Sequence, residues 1–278
     1  MIWQLLVILA LTALCGCISQ DAPSERVQVV TTIAPLGDFV RGVGGDRVDV
    51  TVLVPPGAEP HTFEPTPAQM KSLDDADLYV MNGAGLEYWI DRVLDLNGEM
   101  VVLDSSEGID LVSEEGGGVD PHIWTSLKNA EIQVRNICEG LIQVDPEGRD
   151  QYEANRDRYI QRLALLDEML NGTYSRSSKR IFIVDHPAWT YFARDYGLVQ
   201  VALMEGEREP GPRYLGEVID LARQNNITRV FVEPEFNPKS AEVIAREMGA
   251  QIIVLDPLAE GYLQNMQHVG ESIAESLR

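Results

Sequence analysis

The chain has 278 residues, 45% hydrophobic and 24% charged, a balance near the globular average that excludes disorder, collagen and coiled coil. Asp and Glu number 44 against 22 Lys and Arg, a net charge of −22; so acidic a surface repels phosphate backbones, and nucleic acid is not an expected partner. The length suits two compact α/β domains or one large one.

The first element is an apolar run from Met1 to Leu14. It is too short for a comfortable membrane span and matches the core of an export signal. It ends in Leu14-Cys15-Gly16-Cys17, which resembles a lipoprotein signal: an aliphatic residue and two small ones before the Cys that receives lipid. Cys17 is the expected anchor, with residues 1–17 as signal peptide and 18–25 as a polar tether. No Lys or Arg precedes the apolar run, a departure from the usual signal. The alternative is an uncleaved N-terminal anchor, and either reading puts the remainder outside the cytoplasm, at the outer face of the cell membrane. Cys138 falls in a helical pattern with Ile137, Leu141 and Ile142 and is expected as a buried thiol, so neither a disulfide framework nor a Cys-based metal site is available.

Beyond the tether, strand-like and helix-like segments alternate. Val27–Ile33 and Val48–Val54 are β-branched runs closed by Pro35 and Pro55; Leu78–Met81 and Met100–Leu103 follow. Helical patterns cover 67–75, opening on Pro67, and 86–96, with Leu86, Trp89, Ile90, Val93 and Leu94 on one face. Two more lie at 126–143, broken at Asp145-Pro146, and from about Glu147 to Leu170, with Asn171-Gly172 as its stop. The second of these would span roughly 35 Å and reads as a strut joining two lobes, the alternative being an amphipathic helix inside one domain. Arg180–Val184, Val199–Leu203, Val230–Val232 and Gln251–Leu255 then read as strands, with helices at 188–196, 214–225, 239–248 and 262–277. The alternation predicts mostly parallel sheets covered by helices. The expected layout is an N-terminal α/β lobe over 26–145, an interlobe helix over 146–172 and a C-terminal α/β lobe over 173–278.

Three of the four histidines fall in Pro-flanked loops beyond strand ends, where parallel α/β sheets place their functional groups. They are His61 in Glu59-Pro-His61-Thr-Phe-Glu64, His122 in Asp120-Pro-His122-Ile-Trp124 and His186 in Asp185-His186-Pro. Asp256 in Leu255-Asp-Pro-Leu258 holds the equivalent place after a fourth strand. Three imidazoles and one carboxylate suit a four-coordinate borderline cation, zinc above all. Asp120, Glu64 and Asp185 are candidate acceptors for imidazole N–H groups. Taken singly each His would be read as a surface or capping residue, Trp124 and Trp189 as core, and His268 as solvated.

The stretches Pro60-His61-Thr-Phe-Glu64-Pro-Thr-Pro67, Asp120-Pro-His122-Ile-Trp124 and Asp145-Pro146 before Tyr152-x-x-Asn155 resemble the metal-binding solute-binding lipoproteins of zinc/manganese ABC importers. So do His186-x-x-Trp-x-Tyr-Phe-x-x-x-Tyr-Gly197, Val232-Glu-Pro-Glu-Phe236 and Leu255-Asp-Pro-Leu258. The resemblance covers nearly the whole chain. It implies two α/β lobes joined by a rigid helix and a metal site in the cleft between them. His61, His122, His186 and Asp256 would be the ligands, with Glu59 as the competing fourth donor. It further implies a non-enzymatic, monomeric protein that delivers one divalent ion to an ABC permease. Residues 105–118 are acidic and lack the His-rich loop of zinc-type members, whereas His186 stands where manganese-type members commonly carry an acid. An imidazole there favours zinc; manganese or iron binding is the alternative within the family. Rival classes are a secreted zinc hydrolase, for which no His-Glu-x-x-His run is present, and an adhesion lipoprotein with a structural ion.

Overall fold

The computed structural model describes residues 26–89, 98–114, 117–204, 211–236 and 239–278. Cys17 and the tether lie outside these residues.

Among the described residues eight strands form two four-stranded sheets, each wholly parallel. The first holds β1 (Val27–Thr31), β2 (Val48–Val52), β3 (Leu78–Met81) and β4 (Val101–Asp104) in the order β2-β1-β3-β4. The second holds β5 (Ile181–Val184), β6 (Val199–Ala202), β7 (Arg229–Val232) and β8 (Gln251–Val254) in the order β6-β5-β7-β8. The two orders are equivalent, so the rhythm shared by the halves is a repeated topology. In each sheet the chain reverses direction of growth at the first strand, and the crevice beyond β1/β3 and β5/β7 is where such sheets hold ligands.

Among the described residues eight helices accompany the sheets: α1 (Ala34–Gly44), α2 (Pro67–Asp74), α3 (Leu127–Val144), α4 (Arg149–Tyr174), α5 (Thr190–Tyr196), α6 (Pro212–Gln224), α7 (Lys239–Met248) and α8 (Tyr262–Ser276). α1 is not expected from the sequence pattern, in which Pro35 reads as the end of a strand. Pro35 sits in the first helical turn, where its missing N–H costs nothing, and Leu36, Phe39, Val40 and Val43 supply the buried face. Pro67 likewise opens α2 behind a capping box in which Thr66 and Gln69 satisfy each other's backbone N–H. The helix expected over 86–96 is corrected at its start: residues 86–89 are turn and loop, with Leu86 and Trp89 buried, and 90–97 lie outside the described residues.

The strut is real but shifted. Pro146–Gly148 is a 3-10 turn, and α4 runs on through Asn171-Gly172 to Tyr174. Its start is tied down by Asp145, which accepts from Arg47 Nε and Nη2 at 2.7 and 2.9 Å and from the Tyr152 hydroxyl at 2.6 Å. Asn155 Nδ2 donates to the Val43 carbonyl at 2.8 Å, binding the helix to α1. The last helix, α8, packs on α4 and reaches α1: the Tyr262 ring meets Phe39 edge-on at 4.6 Å, and Tyr262 N donates to Asp38. One apolar core consequently runs from Val27 to Leu277 without a break at the strut.

Candidate metal centre

The three loop histidines converge. One nitrogen from each of His61, His122 and His186 lies within 4.8 Å of the others, and the ring centroids are 4.9 to 5.5 Å apart. His61 Nε2 and His122 Nε2 stand 3.0 Å apart. Two nitrogens bound tetrahedrally to zinc at 2.0–2.1 Å would be about 3.3 Å apart, so the cluster needs only small adjustment to close on an ion. His122 and His186 are each 4% exposed, and His61 is half-buried.

Each ring is held from its own loop. Glu59 accepts the His61 backbone N–H at 2.8 Å and caps the 3-10 turn Pro60–Thr62; its Oε1 is 4.0 Å from His61 Nε2. Asp120 Oδ1 accepts from His122 at both the backbone N–H (2.9 Å) and Nδ1 (2.8 Å), which leaves Nε2 facing the cluster. Burial raises the Asp120 carboxyl, but these bonds outweigh it and hold the group below its ordinary range; burial keeps His122 low, and so neutral. Asn82 Nδ2 donates to the Pro121 carbonyl at 2.9 Å, fixing the same loop from β3.

The His186 loop is tied across the β5/β7 crevice. Asp185 accepts the backbone N–H of His186 at 2.8 Å and that of Glu233 at 3.0 and 3.2 Å. Its role is thus to join two strand ends. Beside the ring, Glu233 Oε2 is 3.3 Å from His186 Nδ1, and Phe236 lies over the ring at 4.6 Å. Val232-Glu-Pro-Glu-Phe236 carries no site role in the sequence pattern; the signal for one is its position, directly after the end of β7.

Asp256 stands apart from the three nitrogens. Its Oδ1 accepts the Leu258 N–H at 2.7 Å, and it lines a neighbouring cavity with Glu235 and Glu260, whereas Glu59, Glu233 and Glu235 line the cavity of the histidines. Glu64 is exposed in its loop. Trp124 and Trp189 are core, each 1% exposed; Trp124 also walls the His cavity and donates Nε1–H to the Pro257 carbonyl at 2.8 Å. His268 is exposed and Cys138 buried, as expected.

The electrostatics match the donor set to a cation. Burial, followed by Asp185, Glu235, Asp256 and Glu59, pushes the Glu233 carboxyl well above its ordinary range; burial pushes Glu235 up to about 7 and raises Asp256. Among the described residues, Glu233 Oε1 and Glu235 Oε2 are buried with no hydrogen-bond partner. Three imidazoles with buried carboxyl groups around them form a donor set that suits a borderline divalent cation.

Comparison with known proteins agrees with this chemistry. The family model for zinc-uptake complex component A, periplasmic, matches residues 29–276. The high-affinity zinc uptake system protein ZnuA of Bacillus subtilis (strain 168) is 33% identical, over 96% of this chain and 92% of its own length. The manganese-binding lipoprotein MntA of Halalkalibacterium halodurans is 31% identical, over 98% of this chain and 96% of its own. A crystal structure of ZnuA superposes with a TM-score of 0.89 at 40% identity, over 91% of this chain and 100% of that one. With the match spanning both sheets and the strut, the chain belongs to the zinc-uptake complex component A family.

Proposed function

We propose that this protein captures a divalent transition-metal ion outside the cytoplasm and delivers it to the permease of an ABC importer, without bond chemistry. The observation that carries the reading is the convergence of His61, His122 and His186 from loops of both sheets. Zinc is the favoured ion. Three neutral imidazole nitrogens are a borderline-soft set, and manganese prefers carboxylate and carbonyl oxygen. Glu59 is the fourth donor in this reading. What supports it over Asp256 is that its carboxylate lines the His cavity and lies 4.0 Å from His61 Nε2, whereas Asp256 is engaged by Leu258 N–H in the next cavity. Cys17 carries the lipid that keeps the monomer at the membrane, and the residues after it let it reach the permease.

The test is competitive binding to metal-free protein lacking residues 1–17, with zinc and manganese at equal free concentration. One zinc per chain is expected, with the affinity sharply reduced in alanine variants of each of the three histidines. Glu59→Ala should weaken zinc more than Asp256→Ala does, and by more than the roughly 10–100-fold that outer partners cost. A manganese preference would overturn the zinc assignment and keep metal capture; no tight binding of either ion would overturn both.

A further inference from the structure

We infer that Glu233 is the positioning residue of the His186 side of the site: it acts through His186, not on the ion. The inference rests on the metal-capture reading above. Glu233 is 4% exposed at the end of β7, and its Oε2 lies 3.3 Å from His186 Nδ1. It is not one of the groups whose donor atoms cluster within 4.8 Å. Its own place is dictated by the sheet: Asp185 N donates to the Phe231 carbonyl, and the Asp185 carboxylate accepts the N–H groups of His186 and Glu233. The two strand ends are therefore locked, and Glu233 meets His186 at Nδ1. Pro234 follows it and limits the backbone; Phe236 then covers a face of the same ring at 4.6 Å.

The result parallels the other lobe, where Asp120 holds His122 Nδ1 at 2.8 Å. In both rings a buried carboxyl group lies against Nδ1, which would leave Nε2 as the nitrogen that meets an ion and would hinder ring rotation. Sequence position alone could not reveal the pairing, since 47 residues separate the partners.

A thermodynamic cycle with zinc tests this. Glu233→Gln keeps the shape of the side chain and should lower zinc affinity about 10–100-fold. In a His186→Ala background the same change should matter less than about 2-fold, because the residue it acts through is gone. A full loss persisting in that background, or none in the parent, would overturn the inference. A second readout needs no variant: in zinc-loaded protein, nitrogen-15 NMR should show His186 with a solvent-protected proton on Nδ1 and zinc on Nε2. Zinc on Nδ1, or no protected proton there, would also overturn it. Failure of the parent protein to bind zinc is a different outcome, since it removes the metal-capture reading itself.

Discussion

Glu87, 3% exposed, accepts from the Thr32 hydroxyl and the Asn82 N–H, both at 2.6 Å, and from the Gly83 N–H at 3.0 Å. Burial outweighs these donors and pushes its carboxyl up to about 7 from 4.5. Below pH 4.5 the folded and unfolded chains are both protonated there, and its contribution to stability is whole. Between 4.5 and 7 only the folded chain keeps the proton, so stability falls as pH rises, by an amount on the order of 3 kcal/mol at pH 8. Urea denaturation of metal-free protein should show a smaller loss from pH 5 to 8 in Glu87→Gln than in the parent; parallel behaviour would refute the assignment. The same scale shows what sequence discloses about a site. His61, His122 and His186 were legible because histidine is rare in this chain and each stands in a Pro-flanked loop after a strand. Glu233 was not, because it is one of 44 acidic residues and its meaning depends on β7 lying beside β5. Strand order is a property of pairing, which residue patterns do not encode.

Among elements, the joint between β2's approach and the strut is the most exposed to test. Asp145 gathers Arg47 and Tyr152 at the start of α4, and the Arg47 hydrogen bond, ahead of burial and of Tyr152, holds its carboxyl below the ordinary range. A lowered carboxyl contributes stability above the unfolded value and loses it as pH falls through the folded one. Asp145→Ala should cost about 2–3 kcal/mol at neutral pH, measured by urea denaturation, and the deficit should shrink in acid. An unchanged midpoint would mean that α4 is held by its apolar face alone. That face was plain in the sequence: Tyr152, Asn155, Tyr159, Leu163, Leu166 and Leu170 are all buried at three- and four-residue spacing. The end of the helix was misjudged at Gly172. A helical Gly costs only about 1 kcal/mol, and Tyr174, 1% exposed with its hydroxyl donating to the Gly270 carbonyl at 2.7 Å, holds the final turn in place. Tertiary contact decided where the helix stops, as it decided that Pro35 opens α1.

The whole molecule is two equivalent sheets spanned by a helix of 26 residues, about 39 Å long. α8 folds back from the second sheet onto α1 and α4, so the core is shared across the strut. Such an arrangement resists wide hinge opening, and metal should act by local tightening of loops. An ion that binds only the native chain adds about 2.7 kcal/mol at a free concentration 100 times its Kd. Thermal melting should therefore rise with zinc in the parent and by much less in His186→Ala at the same free zinc, while small-angle scattering remains nearly unchanged between the metal-free and zinc-loaded states. A large change in radius of gyration would contradict the shared core.

The uneven burial of the three rings has a kinetic corollary. The His122 and His186 side chains are each 5% exposed, but that of His61 is 15% exposed, and Glu59 beside it 19%. Among the described residues, the His61 side is the most open approach to the cluster for water, a chelator or a transporter. If His61 is a ligand, exchange then has an order: the bond to it would be the last made on loading and the first broken on release, and whatever strips the ion would begin at that door.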